Sequence, residues 1–154
     1  MPSDDLLAMI RKAYEYGKYP KGYIPNKEEP NIQEAIIREL KSNLDPRVAN
    51  IVVGRPEDVV VGAPLAYDLH LPLFPYQKVR KLDDKLFFRQ ESACLLFALI
   101  DFDLVSEMIE KIGGVGGTVS MVLAVIDKEK GVRESVEAMG ISCRALFKQS
   151  ELDL

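Results

Sequence analysis

The chain has 154 residues, 47% hydrophobic and 29% charged, with a net charge of -4. That suffices for one domain, residues 1–154, with a sizeable core. It leaves no apolar run near the roughly 18 residues of a membrane span, and its acidic balance argues against a nucleic-acid backbone as a partner.

The opening MPSDDLLAMI is acidic and lacks a basic leader pattern, so a cytoplasmic location is expected. Ser3 is placed to cap a helix over Asp4–Tyr16, with Leu6, Leu7, Ile10 and Tyr14 on one face and Gly17 as its stop. Tyr14 to Tyr23 interleaves tyrosines with basic residues. Base stacking would use such a pattern, and so would a loop packing its rings on the domain or on a partner subunit. Pro20–Pro30 reads as a loop. Asn31 with Glu34 predicts a capped helix to about Asn43, whose buried stripe is Ile32, Ile36, Ile37, Leu40 and Leu44. Asp45-Pro46 ends it.

Ile51–Val53 predicts a short strand leading into Gly54-Arg55-Pro56-Glu57-Asp58. Glu57 and Asp58 read as a solvated turn or as charges opposed to any anion held there. Pro64–His70 predicts a short helix with proline in its first turn. His70, the one histidine of the chain, then sits at a helix end, where a cationic group is favoured. Leu71–Tyr76 predicts another strand, followed by a run that carries Lys78, Arg80, Lys81 and Lys85. Those four cations suit a solvated edge or residual anion binding.

Leu95–Ile100 is a continuous apolar run, as in a strand buried on both faces. Asp101 and Asp103 follow it, Asp103 as the expected N-cap with Glu107 in the first turns. The next helix carries Leu104, Val105, Met108, Ile109 and Ile112 on one face. Gly113 to Gly117 lie between a helix and a strand, the reverse of a phosphate-binding order, and read as a C-cap and turn. Thr118–Ile126, Glu129–Met139 and Cys143–Phe147 complete a strand, helix, strand series, with Gly140 as the helix stop. This alternation implies an α/β fold with a parallel sheet and flanking helices, whose ligands bind beyond the strands' carboxyl ends. Cys94 and Cys143 read as buried thiols. With one histidine, a tetrahedral zinc site is not expected.

From about Ala49 to Leu154 the chain resembles the orotate phosphoribosyltransferases, which are type I phosphoribosyltransferases. The run VLAVIDKEKGVRESVEAMGI followed by LFKQSEL is similar to the family's strand, Asp-Arg, Glu-Gly-Gly, helix and terminal Leu-x-x-Ser-Glu-Leu. Lys128 stands where that family usually has Arg. Upstream, IVVGRP and LAYDLHLPLF resemble the family's GVP and LALELGLPLV, and Val79-Arg80-Lys81 its Val-Arg-Lys. The resemblance implies a Rossmann-like phosphoribosyltransferase-type sheet with a short hood, and pairing as a homodimer or with a homologue. It implies a small nucleotide or orotate-like ligand. Asp101 and Asp103 would take ribose hydroxyls or Mg2+, and Arg80, Lys81, Lys85 and Arg55 a pyrophosphate.

The departures from the family are as informative. No glycine-rich Thr-Thr-Gly-Gly-Ser loop separates Asp103 from the helix, Glu57 and Asp58 stand near glycine positions of the pyrophosphate loop, and the mobile loop with its His-Gly is missing. Together these predict a degenerate, non-catalytic homologue that needs no cofactor. The alternatives are an active enzyme of pyrimidine nucleotide biosynthesis using Mg2+ at an altered site, and an unrelated α/β interaction protein.

Overall fold

The computed structural model describes residues 4–15, 17, 19–20, 23–26, 28–79 and 84–153. Five strands form one sheet in the order β2-β1-β3-β4-β5, all parallel. They are β1 (Asn50–Val53), β2 (Leu73–Pro75), β3 (Glu91–Leu99), β4 (Thr118–Asp127) and β5 (Ser142–Lys148). Among the described residues seven α-helices accompany them: α1 (Asp4–Glu15), α2 (Pro30–Asn43), α3 (Val59–Leu69), α4 (Asp84–Phe87), α5 (Phe102–Gly114), α6 (Val132–Glu137) and α7 (Gln149–Leu152).

The central strands are apolar on both faces because a helical layer covers each. Ile51, Val53, Leu95 and Leu123 join Leu6, Ile10, Ile36, Leu40, Leu65 and Leu152 in one core. Their alternate neighbours Val52, Cys94, Leu96 and Val122 join Phe87, Val105, Met108, Ile112 and Val136 in the other. The period of two along each strand sorts the side chains between the layers. Cys94, Val122 and Cys143 form one row across β3, β4 and β5. Burial pushes both thiols up to about 12.

Several expected boundaries move, each for a local reason. The helix expected at Pro64–His70 begins at Val59, so Pro64 lies inside α3. Proline there leaves the Val60 carbonyl without its helical donor, and the Gln33 carboxamide of α2 donates to that oxygen at 3.3 Å. A contact between helices thus tolerates what a local rule forbids. His70 ends α3 in the left-handed region, φ 56°, exposed as expected. α2 starts with Pro30 as its first residue and Glu29 as its cap, so Asn31 lies inside the helix rather than capping it. α6 starts at Val132, not Glu129, because Glu129 and Gly131 both take positive φ. The Glu129 carboxylate instead accepts from Ser150 N–H at 2.8 Å, tying the loop after β4 to α7.

The turn between α5 and β4 needs Gly116: its φ is 81°, and a Cβ there would meet the Phe88 ring at 2.5 Å. The Ser3 cap lies outside the described residues. Among those described, no helix is long and apolar enough to cross a membrane.

Candidate functional site at the strand order reversal

Sheet order places a ligand crevice before any side chain is considered. From β1 the chain crosses to β2 on one side, then returns to β3 on the other. Loops at the carboxyl ends of β1 and β3 therefore splay apart, and open α/β sheets bind ligands there.

Here the chain fills that place itself. β1 ends at Val53, opposite Leu95, while β3 runs on to Leu99. The Phe97 N–H thus has no strand partner on that side. The Asp58 carboxylate supplies one: Phe97 N–H donates to Oδ1 at 2.7 Å, and Gly54 and Arg55 N–H donate to Oδ2 at 3.0 and 2.6 Å. Asp58 is only 1% exposed, so it is no solvated turn; Glu57 beside it is exposed. Burial pushes the Asp58 carboxyl above its ordinary value, and the three amide bonds offset part of that rise.

Gly54 lies beneath α5. A Cβ on it would meet Met108 Sδ at 3.0 Å, Leu104 Cδ2 at 3.2 Å and Asp58 Oδ2 at 3.4 Å. Gln77 Nε2 donates to the Gly54 carbonyl at 3.2 Å, drawing in the turn after β2. The backbone amides at the crevice meet a carboxylate of their own chain, and thioether and leucine side chains close over them.

The step from β3 into α5 is equally direct. Only Ile100 and Asp101 separate Leu99 from Phe102. Asp101, not Asp103, is the N-cap: its Oδ1 accepts from Asp103 N–H at 2.9 Å. Asp103 lies one residue inside the first turn, and both aspartates are exposed.

The other candidates do not converge. Arg55 sits half-buried beside Asp58. Lys85 lies on α4 at the amino end of the sheet, where Leu86 O accepts from Asn50 Nδ2 at the start of β1 (3.0 Å). It is therefore across the sheet from Asp101. Arg80 and Lys81 lie outside the described residues. Among the described residues no group of three or more His, Cys, Asp or Glu is placed to hold a metal ion. Asp101 already spends a carboxylate oxygen on its helix cap.

Beside the filled crevice, a hollow of about 390 Å³ opens under the segment 23–26. Ile24, Val60 and Phe97 line it with apolar surface, and Tyr23, Glu28 and Glu57 stand at its exposed side. Asn26 lies in its wall. Of the described tyrosines, Tyr14 packs against the core, while Tyr19 and Tyr23 stack on each other. Tyr14 Oη donates to Tyr23 O at 2.7 Å, Tyr19 Oη to Glu29 at 3.0 Å and Tyr23 Oη to Glu28 at 2.8 Å. No motif pointed to Asn26, because its surroundings come from α3 and β3.

Comparison with solved structures identifies the architecture. Adenine phosphoribosyltransferase from Leishmania donovani aligns with a TM-score of 0.74 at 12% identity, over 99% of this chain and 83% of that one. Orotate phosphoribosyltransferase from Mycobacterium tuberculosis H37Rv, solved with inorganic phosphate, aligns with a TM-score of 0.63 at 18% identity, over 97% and 90%. UMP synthase from Leishmania donovani aligns with a TM-score of 0.65 at 15% identity. The chain covers 28% of that longer protein and is itself covered to 80%. No protein-family model matches the chain, and no curated protein sequence does. The chain has the type I phosphoribosyltransferase fold, as its sequence motifs imply. At these identities the likeness is one of fold.

Proposed function

We propose that this chain is a non-catalytic relative of the orotate phosphoribosyltransferases, retained as a small-ligand-binding module or as the partner of an active homologue. The observation that carries this reading is the Asp58 carboxylate seated on the Gly54, Arg55 and Phe97 amides. A phosphoribosyl donor brings a phosphate and a pyrophosphate, and its transfer depends on holding those anions in line with the acceptor. A fixed carboxylate near 4 Å from one such charge opposes it by about 4 kcal/mol at an effective dielectric of 20. That is roughly a thousandfold in affinity. The direct step from Leu99 to Phe102 supports the same reading, since it leaves no glycine-rich loop to wrap a sugar phosphate.

The test is calorimetry with phosphoribosyl pyrophosphate and Mg2+, run beside a pyrophosphate-release assay with orotate or adenine as acceptor. The expected result is no saturable binding and no release. Release of pyrophosphate with formation of a nucleotide would overturn the proposal and establish the active alternative. Pairing, with itself or with a homologue, belongs to the same proposal. Light scattering of the purified chain, alone and mixed with an active phosphoribosyltransferase, tests it. A cytoplasmic location is part of this reading too.

A further inference from the structure

A second hollow, of about 280 Å³, opens at the outer edge of the sheet, along β5 and beside Asn43 of α2 and Glu151 of α7. Its lining mixes signs, Asp127 and Glu151 against Arg133, Arg144 and Lys148. Most of these charges are already spent. Arg133 pairs with Glu137 at 2.8 Å. Glu151 accepts from Lys148 N–H at 2.8 Å, and the Lys148 ammonium stands near the Glu129 carboxylate.

Two groups are left over. Arg144 donates to the Asn43 carboxamide oxygen at 3.4 Å, and no described carboxylate pairs with it. Asp127 is 5% exposed and gives Oδ1 to the Glu129 N–H at 2.8 Å. Its Oδ2 has no partner. Among the described residues the Asn26 carboxamide alone is both unpartnered and sealed from solvent. Oδ2 therefore reaches the surface, and the hollow is the surface that Asp127 lines.

A half-used, nearly buried carboxylate favours a charged donor, because burial penalises an unpaired charge and strengthens an ion pair. Arg144 favours a carboxylate, which its planar fork binds at two points. One small molecule carrying both groups meets both needs, and spacing sets its length. Asp127 lies opposite Lys148 in the sheet. Arg144 precedes Lys148 on β5 by about 13 Å along the strand. The long arginine side chain covers part of that gap. A two-residue chain, about 7 Å from end to end, covers the rest.

We propose that this hollow binds a dipeptide-sized zwitterion, its amine on Asp127 Oδ2 and its carboxylate on Arg144. The site lies at the rim of the sheet, away from the filled crevice, and goes beyond the proposed function. Pyrophosphate release would sink the loss of turnover without touching this site, and failure here would leave the crevice filled as described.

L-alanyl-L-alanine makes the test, beside its N-acetyl form, which lacks the ammonium, and its C-terminal amide, which lacks the carboxylate. Titration of the full chain, followed by protein-observed NMR, should show the free dipeptide binding in about the millimolar range suited to so small a ligand. Each blocked form should bind at least about tenfold more weakly. Asp127→Asn should weaken the free dipeptide by about tenfold and leave the N-acetyl form unchanged. Arg144→Gln, at an exposed position, should weaken the free dipeptide and spare its amide. Thermal melts check the folding of both variants, and the comparison of the three probes on the unaltered chain needs neither. No shift with the free dipeptide would overturn the proposal. So would equal binding of either blocked form, binding that Arg144→Gln leaves unchanged, or inorganic phosphate binding as tightly as the dipeptide, which would make this a plain anion site.

Discussion

Asp58 and Asp101 follow neighbouring strands of one sheet, and each turns its carboxylate onto backbone amides. Asp101 accepts from a single amide two residues on, at the exposed start of α5. Water can replace it. Asp58 accepts from three amides, one of them 39 positions away on β3, and is shut from solvent. Water has no access there. The hydrogen-bond chemistry is the same, so the difference in value comes from burial. An exposed cap orders one turn, whereas the buried carboxylate joins β1, its loop and the end of β3. That is also why the proposed function rests on Asp58 and not on Asp101.

Substitution should separate the two sharply. Asp58→Ala would strand three amide donors away from water, each worth about 1 kcal/mol or more, and should cost about 3 kcal/mol in urea unfolding. That is a large share of the roughly 5–15 kcal/mol a domain holds. Asp58→Asn should cost less, about 2 kcal/mol, because its oxygen still serves one pair of amides while its NH2 group faces another N–H. If the Asp58 variants lose no more than Asp101→Ala, the contrast fails.

A smaller effect appears in pH. The folded value of Asp58 is raised above its ordinary 3.8. The native chain therefore keeps a proton that the unfolded chain has released, and its contribution falls as pH climbs from 3.8 through the raised value. The margin of the unaltered chain over Asp58→Asn should shrink across that window and then level off. A margin that grows instead would mean that the amides outweigh burial. Asp101→Ala should have the least effect, about 1 kcal/mol.

The sequence shows the sheet more clearly than the site. Leu95–Ile100 and Thr118–Ile126 read as buried strands from their own residues, and that pattern is local. The helices between them follow from spacing and from Gly140; Gly113, expected past the end of its helix, lies inside α5, which runs to Gly114. What a local reading misses depends on distant partners. Pro64 looked like a helix start because its compensation comes from Gln33, on another helix. Asp58 looked like half of an acidic turn because the Phe97 amide that buries it lies on β3. The cap of α5 shifted by two positions because two aspartates stand in the same short stretch, and both suit a cap.

The row Cys94, Val122, Cys143 carries one last consequence. Two strand spacings separate the sulfur-bearing positions, about 9–10 Å, too far for a bridge between them. Thiols held near 12 offer almost no nucleophile at neutral pH. An alkylating reagent must therefore wait for the strands to part. Cys143 sits on the outermost strand and Cys94 deeper in, so their relative rates of alkylation would report whether the sheet peels from its rim or comes apart all at once.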